Sequence, residues 1–231
     1  MPNHSIINIS LRTAAVLLLF TLSFTTLMAV IYKATKGPII ASTEAEKLRL
    51  IGEVLPPDVY DNDLLKDYVE LPATAELGLD HPSHAYRARQ GGGPTALVFE
   101  AAAPDGYSGR IGLILAVRAN GDLIAVRVTE HRETPGLGDY IEPRKDKNKA
   151  HPWIRQFDEQ GFARLPADQW RVKKDGGHFE QRSGATISAR AVTNAVARAV
   201  KWAETHRQEL LVAATTPLTT PARRKAAGER P

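Results

Sequence analysis

Thr13 to Tyr32 reads TAAVLLLFTLSFTTLMAVIY, twenty residues without a charge, set between Arg12 and Lys33. A helix of that length rises about 30 Å at about 1.5 Å per residue, the thickness of a bilayer's hydrocarbon core. The stretch can therefore cross a membrane, and it divides the chain into an anchor and a body. Two other readings exist, a buried core helix and a cleaved signal peptide. A signal peptide has an apolar region of about 7–15 residues with small residues at the cleavage site, and Leu27-Met28-Ala29 matches such a site poorly. The expectation is a single-pass transmembrane helix over 13–32 preceded by a cytoplasmic N-terminus over 1–12. Flanking charge says little about orientation: Arg12 stands against Lys33 and Lys36, a count that leans slightly toward placing the body inside.

Charge matters to the function class only through where it lies. The net charge is +4 and the pI about 9.3, but residues 1–37 and 216–231 each contribute three net positive charges, so residues 38–215 are net acidic by two. An acidic body argues against nucleic-acid binding, whose affinity rests on clustered Lys and Arg. The chain has no cysteine, which removes disulfides, thiolate nucleophiles, CxxC redox pairs and cysteine-held iron–sulfur clusters. The seven histidines show no HExxH spacing for zinc. A redox role in this chain requires an organic cofactor or haem.

Beyond the anchor, Gly37-Pro38 reads as a break, after which Thr43-x-x-Glu46 can cap a new helix carrying Leu48, Ile51 and Leu55 at helical spacing. Pro56-Pro57 ends it. Residues 72–95, rich in Ala, Gly, Pro and His and including Gly91-Gly92-Gly93-Pro94, read as a connection, so 38–94 is a membrane-proximal helical and linker region. Extended segments follow at Thr95–Ala101, Arg110–Arg118 and Leu123–Thr129. The last two flank Asn120-Gly121, whose tolerance of positive φ makes it a strong hairpin signal. Val192, Val196 and Val200 then recur every four residues in an Ala-rich stretch, predicting an amphipathic helix from Ser188, its cap, to about Val212. Residues 213–231 mix Pro, Thr, Ala and Arg without periodicity and read as a disordered basic tail.

Two segments carry candidate chemistry. Glu133-Thr134-Pro135-Gly136-Leu137-Gly138-Asp139 follows the second hairpin strand, and glycines one residue apart allow a tight path and close approach of main-chain N–H groups to a flat or anionic ligand. The same residues also suit a turn that binds nothing. Glu180-Gln-Arg-Ser183-Gly184-Ala185-Thr186-Ile-Ser188 leads into the last helix. Gly184 and Ala185 clear bulk beside the Thr186 hydroxyl, and the coming helix offers unpaired N–H groups that would stabilise a phosphate. An ordinary capping segment rich in Ser and Thr fits there as well.

Together the two segments resemble the G subunit of the Rnf electron-transport complex and, more distantly, the C subunit of the sodium-translocating NADH:quinone reductase. That family's signature, Asp-x-x-Ser/Thr-Gly-Ala-Thr, is matched by Glu180-x-x-Ser183-Gly184-Ala185-Thr186, and its glycine-rich stretch by His131 to Asp139, in the same order. Glu180 replaces the usual Asp, a departure that bears on recognition by the flavin transferase more than on the acceptor. The resemblance extends through Trp153-Ile154, Asp175-Gly176-Gly177 and the final helix. It implies an α+β fold: one N-terminal transmembrane helix, then a periplasmic FMN-binding domain over 95–212 with a twisted antiparallel sheet and flanking helices.

The resemblance also implies a function. FMN is expected to be joined through its phosphate to Thr186, with Ser183, Gly184, Ala185, Thr134, Gly136, Leu137 and Gly138 around it, after a flavin transferase takes it from FAD. The chain is expected to relay electrons in the bacterial inner membrane, beside a membrane subunit with a second FMN, within a complex coupling NAD(H) and ferredoxin to ion movement. Gly136-x-Gly138 lacks the following x-x-Gly of a dinucleotide fingerprint, so a dehydrogenase acting alone is not expected. A lone flavin-dependent reductase and a flavin-free membrane scaffold remain the alternatives.

Overall fold

A computed structural model describes the backbone of residues 3–213 and the side chains from residue 8 onward. The expected disordered tail lies outside the described residues except for Ala213. The chain divides into two units, Met1–Lys47 and Leu48–Pro231.

Helix α1, Asn3–Gly52, is 50 residues long and contains Pro38. The expected break at Gly37-Pro38 is therefore absent, and the expected second helix is the end of the first. Proline lacks one N–H and kinks a helix, but the remaining ladder on both sides carries the turn through. Thr43, expected as a cap, is instead mid-helix, its hydroxyl donating to the Ile39 carbonyl at 2.9 Å. Thr21 and Thr35 bond back in the same way to Leu17 and Ile31, both at 2.8 Å, so these hydroxyls are satisfied inside the helix, as a lipid setting demands. The apolar window of α1 is 0% buried in protein. That argues against the core-helix reading and fits a membrane anchor.

In the second unit, five strands form one antiparallel sheet in sequence order: β1 Tyr68–Leu71, β2 Ser83–Gln90, β3 Gly93–Gly106, β4 Gly109–Arg118 and β5 Leu123–Glu130. Residues 72–95, expected to connect, contain the whole of β2, and the Gly91-Gly92 pair, with φ of 57° and 80°, turns β2 into β3. The expected hairpin at Asn120-Gly121 is present. Only Gly121 takes positive φ, while the Asn120 side chain accepts the Asp122 N–H at 3.0 Å.

Alternation along β3 and β4 sends side chains to two cores. Leu97, Phe99, Leu113 and Leu115 face one, with helix α2, Thr186–Val212, packed on it through Ala189, Val192, Val196, Ala199, Val200 and Ala203. Val98, Ile114 and Ala116 face the other, covered by Ile51, Val54, Leu55 and Leu64. The small Ala side chains bring α2 close to β3, and burial on both faces is why the central strands read as continuous apolar runs. Residues 131–185 hold no strand of the sheet. A row of aromatic contacts organises them instead: Tyr140–Trp153, Trp153–Phe157, Phe157–Phe179, Phe179–Trp170 and Trp170–Phe162, with centroids 4.3–5.4 Å apart.

Candidate functional site

Helix α2 begins at Thr186, with Ala185 at the N-cap position (φ −132°, ψ 39°), no side-chain cap and no acidic residue in the first turn. The expectation that Ser188 caps this helix is overturned. It lies inside the first turn, 1% exposed, and its hydroxyl donates to the Glu133 carboxylate instead. The first turn of α2 therefore keeps the N–H donors that every helix start leaves unpaired. The positive end of the helix meets no negative charge of its own first turn.

The turn before α2 is held by one phenol. The Tyr140 hydroxyl accepts the Arg182 backbone N–H at 3.2 Å and donates to the Ala185 carbonyl at 3.3 Å. Burial pushes this phenol up from its ordinary value, with Arg182 pulling partly back, so it stays protonated and serves as donor and acceptor at once. The Arg182 guanidinium lies 4.7 Å over the Tyr140 ring and pairs with Asp146, which is 0% exposed. The other Asp146 oxygen accepts the Trp153 N–H at 2.7 Å, and the Trp153 indole donates to the Glu180 carbonyl at 2.5 Å. Glu180 itself points its carboxylate outward to Lys173.

Within this turn, Gly184 has φ 84°, and an added Cβ would meet nothing within 4 Å. Its glycine is required by conformation, and open space lies beside it. Ser183 is exposed, Ala185 is 8% exposed and Thr186 is half-buried. In the glycine loop, the Thr134 carbonyl accepts the N–H groups of Leu137 and Gly138, both at 3.1 Å. Gly136 has φ 77°, and its N–H donates to Asp139 at 2.9 Å. Leu137 is 54% exposed. Gly138 is glycine for a different reason: a Cβ there would lie 2.5 Å from the Ser188 hydroxyl and 2.7 Å from the Glu133 carboxylate.

These two segments, about fifty residues apart in sequence, meet at one cavity of about 260 Å³. It is lined by Tyr107, Glu133, Thr134, Leu137, Gly138, Gly184, Ala185, Ile187 and Ser188. Five of the expected site residues are thus brought together: Thr134, Leu137, Gly138, Gly184 and Ala185. Thr186 lies between two lining residues without lining the cavity, and Ser183 and Gly136 stand outside it. Larger hollows of about 440 Å³ beside Trp153 and Arg155 and about 630 Å³ beside Phe162 and Trp202 take nothing from the glycine loop.

The residues present fit an FMN group. The cavity is below the roughly 300 Å³ that encloses a small ligand, so a flavin would lie partly across its mouth, where Tyr107, Leu137 and Ile187 stand 67%, 54% and 46% exposed. Large apolar side chains held in water at one place are the surface that a flat ring would cover. Sequence reasoning missed Tyr107 and Ile187 as lining residues, and Tyr140 and Asp146 as supports. Tyr107 had one signal, an aromatic between Gly106 and Gly109 at a strand turn; Tyr140 had none, since its partner Ala185 is 45 positions away.

Comparison with known proteins agrees with this geometry. A family model described as FMN-binding domain matches residues 106–201, and one described as RnfG N-terminal region matches residues 1–54. Several curated relatives are named as the G subunit of the ion-translocating oxidoreductase complex. That of Pseudomonas aeruginosa (strain UCBPP-PA14) is 44% identical over 202 residues, 87% of this chain and 92% of that one. Those of Shewanella loihica (strain ATCC BAA-1088 / PV-4) and Vibrio cholerae (strain ATCC 39541 / Classical Ogawa 395 / O395) are each 39% identical, over 87% and 86% of this chain and 92% of theirs. With an N-terminal apolar helix, an FMN-binding domain and this identity across nearly its whole length, the chain belongs to the family of G subunits of the ion-translocating oxidoreductase complex, the Rnf complex.

Proposed function

We propose that the chain is the electron-relay subunit of a membrane-bound ion-translocating oxidoreductase complex, carrying FMN joined by a phosphodiester to Thr186. The observation that carries this reading is the meeting of the glycine loop and the 183–188 turn at one cavity beside an uncapped helix start. Thr186 is the first residue of α2, so a phosphate on its hydroxyl would be within reach of the free N–H groups of the first turn and would interact favourably with the helix dipole. Ser183 lies before the left-handed Gly184, and Ser188 is engaged by Glu133. That leaves Thr186 as the hydroxyl at the helix start best suited to attachment.

Bound FMN supplies one- and two-electron transfer that no side chain of this cysteine-free chain offers. The protein's own work is placement. Tyr140 fixes the turn, Leu137, Ile187 and Tyr107 would give the ring an apolar surface that excludes water from one side, and a covalent bond would remove dissociation. The partners in this reading are the other Rnf subunits, including one in the membrane with a second covalent FMN, and a flavin transferase during maturation. The complex as a whole would exchange electrons between NAD(H) and ferredoxin, coupled to ion transport.

Peptide mass spectrometry of protein made with a flavin transferase tests the attachment. The FMN increment should fall on the fragment containing Thr186 and vanish in Thr186→Ala; a fully flavinylated Thr186→Ala protein would refute the assignment. The reading also places the body in the periplasm of a bacterial inner membrane, with α1 as anchor. A phosphatase reporter fused after residue 40 should be active, and a cytoplasmic reporter active there instead overturns that topology.

A further inference from the structure

Glu133 is a carboxylate 3% exposed, and the partners of its oxygens among the described residues are an N–H group and a hydroxyl rather than a lysine or arginine. Burying a charge without a counter-ion costs free energy unless donors replace water. Here the donors come from two distant segments. One oxygen accepts the Ser108 backbone N–H at 3.0 Å from the β3–β4 turn, and the other accepts the Ser188 hydroxyl from the first turn of α2. The positive end of α2 adds a favourable field.

Two glycines let the backbone pass close to this carboxylate, although the nearest atoms to an added Cβ are the Ser188 hydroxyl at Gly138, 2.5 Å away, and the Gly109 carbonyl at Gly106, 2.3 Å away. A Cβ on Gly138 would lie 2.7 Å from one Glu133 oxygen, and a Cβ on Gly106 would lie 2.9 Å from the other. The strand turn with Tyr107, the glycine loop with Leu137, and the helix start with Ile187 therefore converge on a single side chain, and all three line the same cavity as Glu133 itself. We infer that Glu133 is the positioning residue of the FMN site: it pins the three walls together and sets a negative charge against the cavity, holding the flavin's reduction potential down. The inference rests on the FMN site proposed above.

A charge facing the ring disfavours the added electrons of the reduced form, and a donor on that charge weakens the effect. Two variants therefore separate charge from packing, read by the midpoint potential and visible spectrum of the full-length, FMN-loaded protein. Glu133→Gln keeps the shape and removes the charge; it should retain covalent FMN and favour reduction by about tenfold, which is about 30 mV upward for a two-electron couple. Ser188→Ala keeps the charge and removes a donor, and should shift the potential downward. A side chain that only bolts the walls together would move both variants in the same direction or leave both unmoved, and either result overturns the inference. If Glu133→Gln does not fold, Ser188→Ala decides alone, and no downward shift overturns it. Wild-type protein without FMN on Thr186 would sink the attachment reading and this inference with it; loaded protein with unmoved potentials would sink this inference only.

Discussion

The two ends of helix α2 are finished in opposite ways. At its C-terminal end, the carbonyls are bonded by arginines from β2: Arg87, 0% exposed, donates to Leu210 at 3.3 Å and to Ala213, and Arg89 donates to Leu211 at 3.5 Å. Asp67 bonds both arginines, to Arg87 at 2.7 Å and Arg89 at 2.6 Å. At the N-terminal end there is no side-chain cap, no acidic residue in the first turn, and a left-handed glycine facing open space. One end is closed by the protein's own charges and supports the fold. The other leaves donors free, as a helix start that receives an anion from outside would. The difference teaches that the bare N-terminus is not a defect of a poorly finished helix, because the same helix is thoroughly closed at its far end.

The comparison breaks first at Arg87. Arg87→Met should cost about 2–5 kcal/mol, since it leaves Asp67 with Arg89 alone and takes the buried donor from the Leu210 and Ala213 carbonyls. Thr186→Ala should change stability by less than about 0.5 kcal/mol while abolishing covalent flavin. Denaturant midpoints of the two variants check this, and a Thr186→Ala loss comparable to that of Arg87→Met would erase the distinction between a structural and a functional end.

Tyr140→Phe sharpens the N-terminal side. It removes an acceptor from the Arg182 N–H and a donor from the Ala185 carbonyl, at a cost of about 1–3 kcal/mol. Because those bonds hold the turn before Thr186, the yield of flavin attachment should fall with stability, measured as the absorbance ratio of flavin to protein after denaturation. Gly184→Ala should cost about 1–2 kcal/mol from the left-handed backbone alone, since the new methyl meets no neighbour within 4 Å. A much larger loss would mean that the space beside Gly184 is filled.

The smallest expected effect is the acid response of the C-terminal end. Burial raises the Asp67 carboxyl, but hydrogen bonds from Arg89 and Arg87 outweigh it and leave it below its ordinary value. A carboxyl depressed in the folded state contributes stability above its unfolded pKa of about 3.9, and that contribution is lost as pH falls through the lower folded value. Wild-type stability should therefore fall below about pH 4, more steeply than that of Asp67→Asn, in denaturant curves taken across that range. Equal slopes would mean that the pair contributes nothing specific to the acid response.

Short-range patterns made much of this molecule legible. The uncharged 13–32 span marked the apolar helix, apolar runs on either side of Asn120-Gly121 marked the central strands, and the valines at 192, 196 and 200 marked the buried face of α2, each 0–1% exposed. Gly184 and Ala185 marked a stretch free of bulk before Thr186, and family resemblance joined that stretch to the glycine loop. Each of these features is written within a short stretch of sequence, so periodicity and backbone preference suffice to read it.

What only the tertiary structure decided has no such local record. Residues 83–90 look like a connection because their alternation mixes Ser, His, Tyr, Arg and Ala, yet they pair with β1 and β3 on both sides. Thr43 and Ser188 both resembled caps, and both were drawn elsewhere, Thr43 by a helix that continues through Pro38 and Ser188 by a carboxylate 55 positions away. The closure of α2 by Arg87 spans 123 positions. A hydroxyl or guanidinium bonds to whichever partner folding brings within about 3 Å, and sequence neighbours alone do not specify that partner. The sequence thus determined the apolar helix, the central strands, α2 and the position of the attachment candidate, while the fold alone determined β1 and β2, which end of α2 is closed, which stays open, and that Glu133 stands where the three walls of the cavity meet.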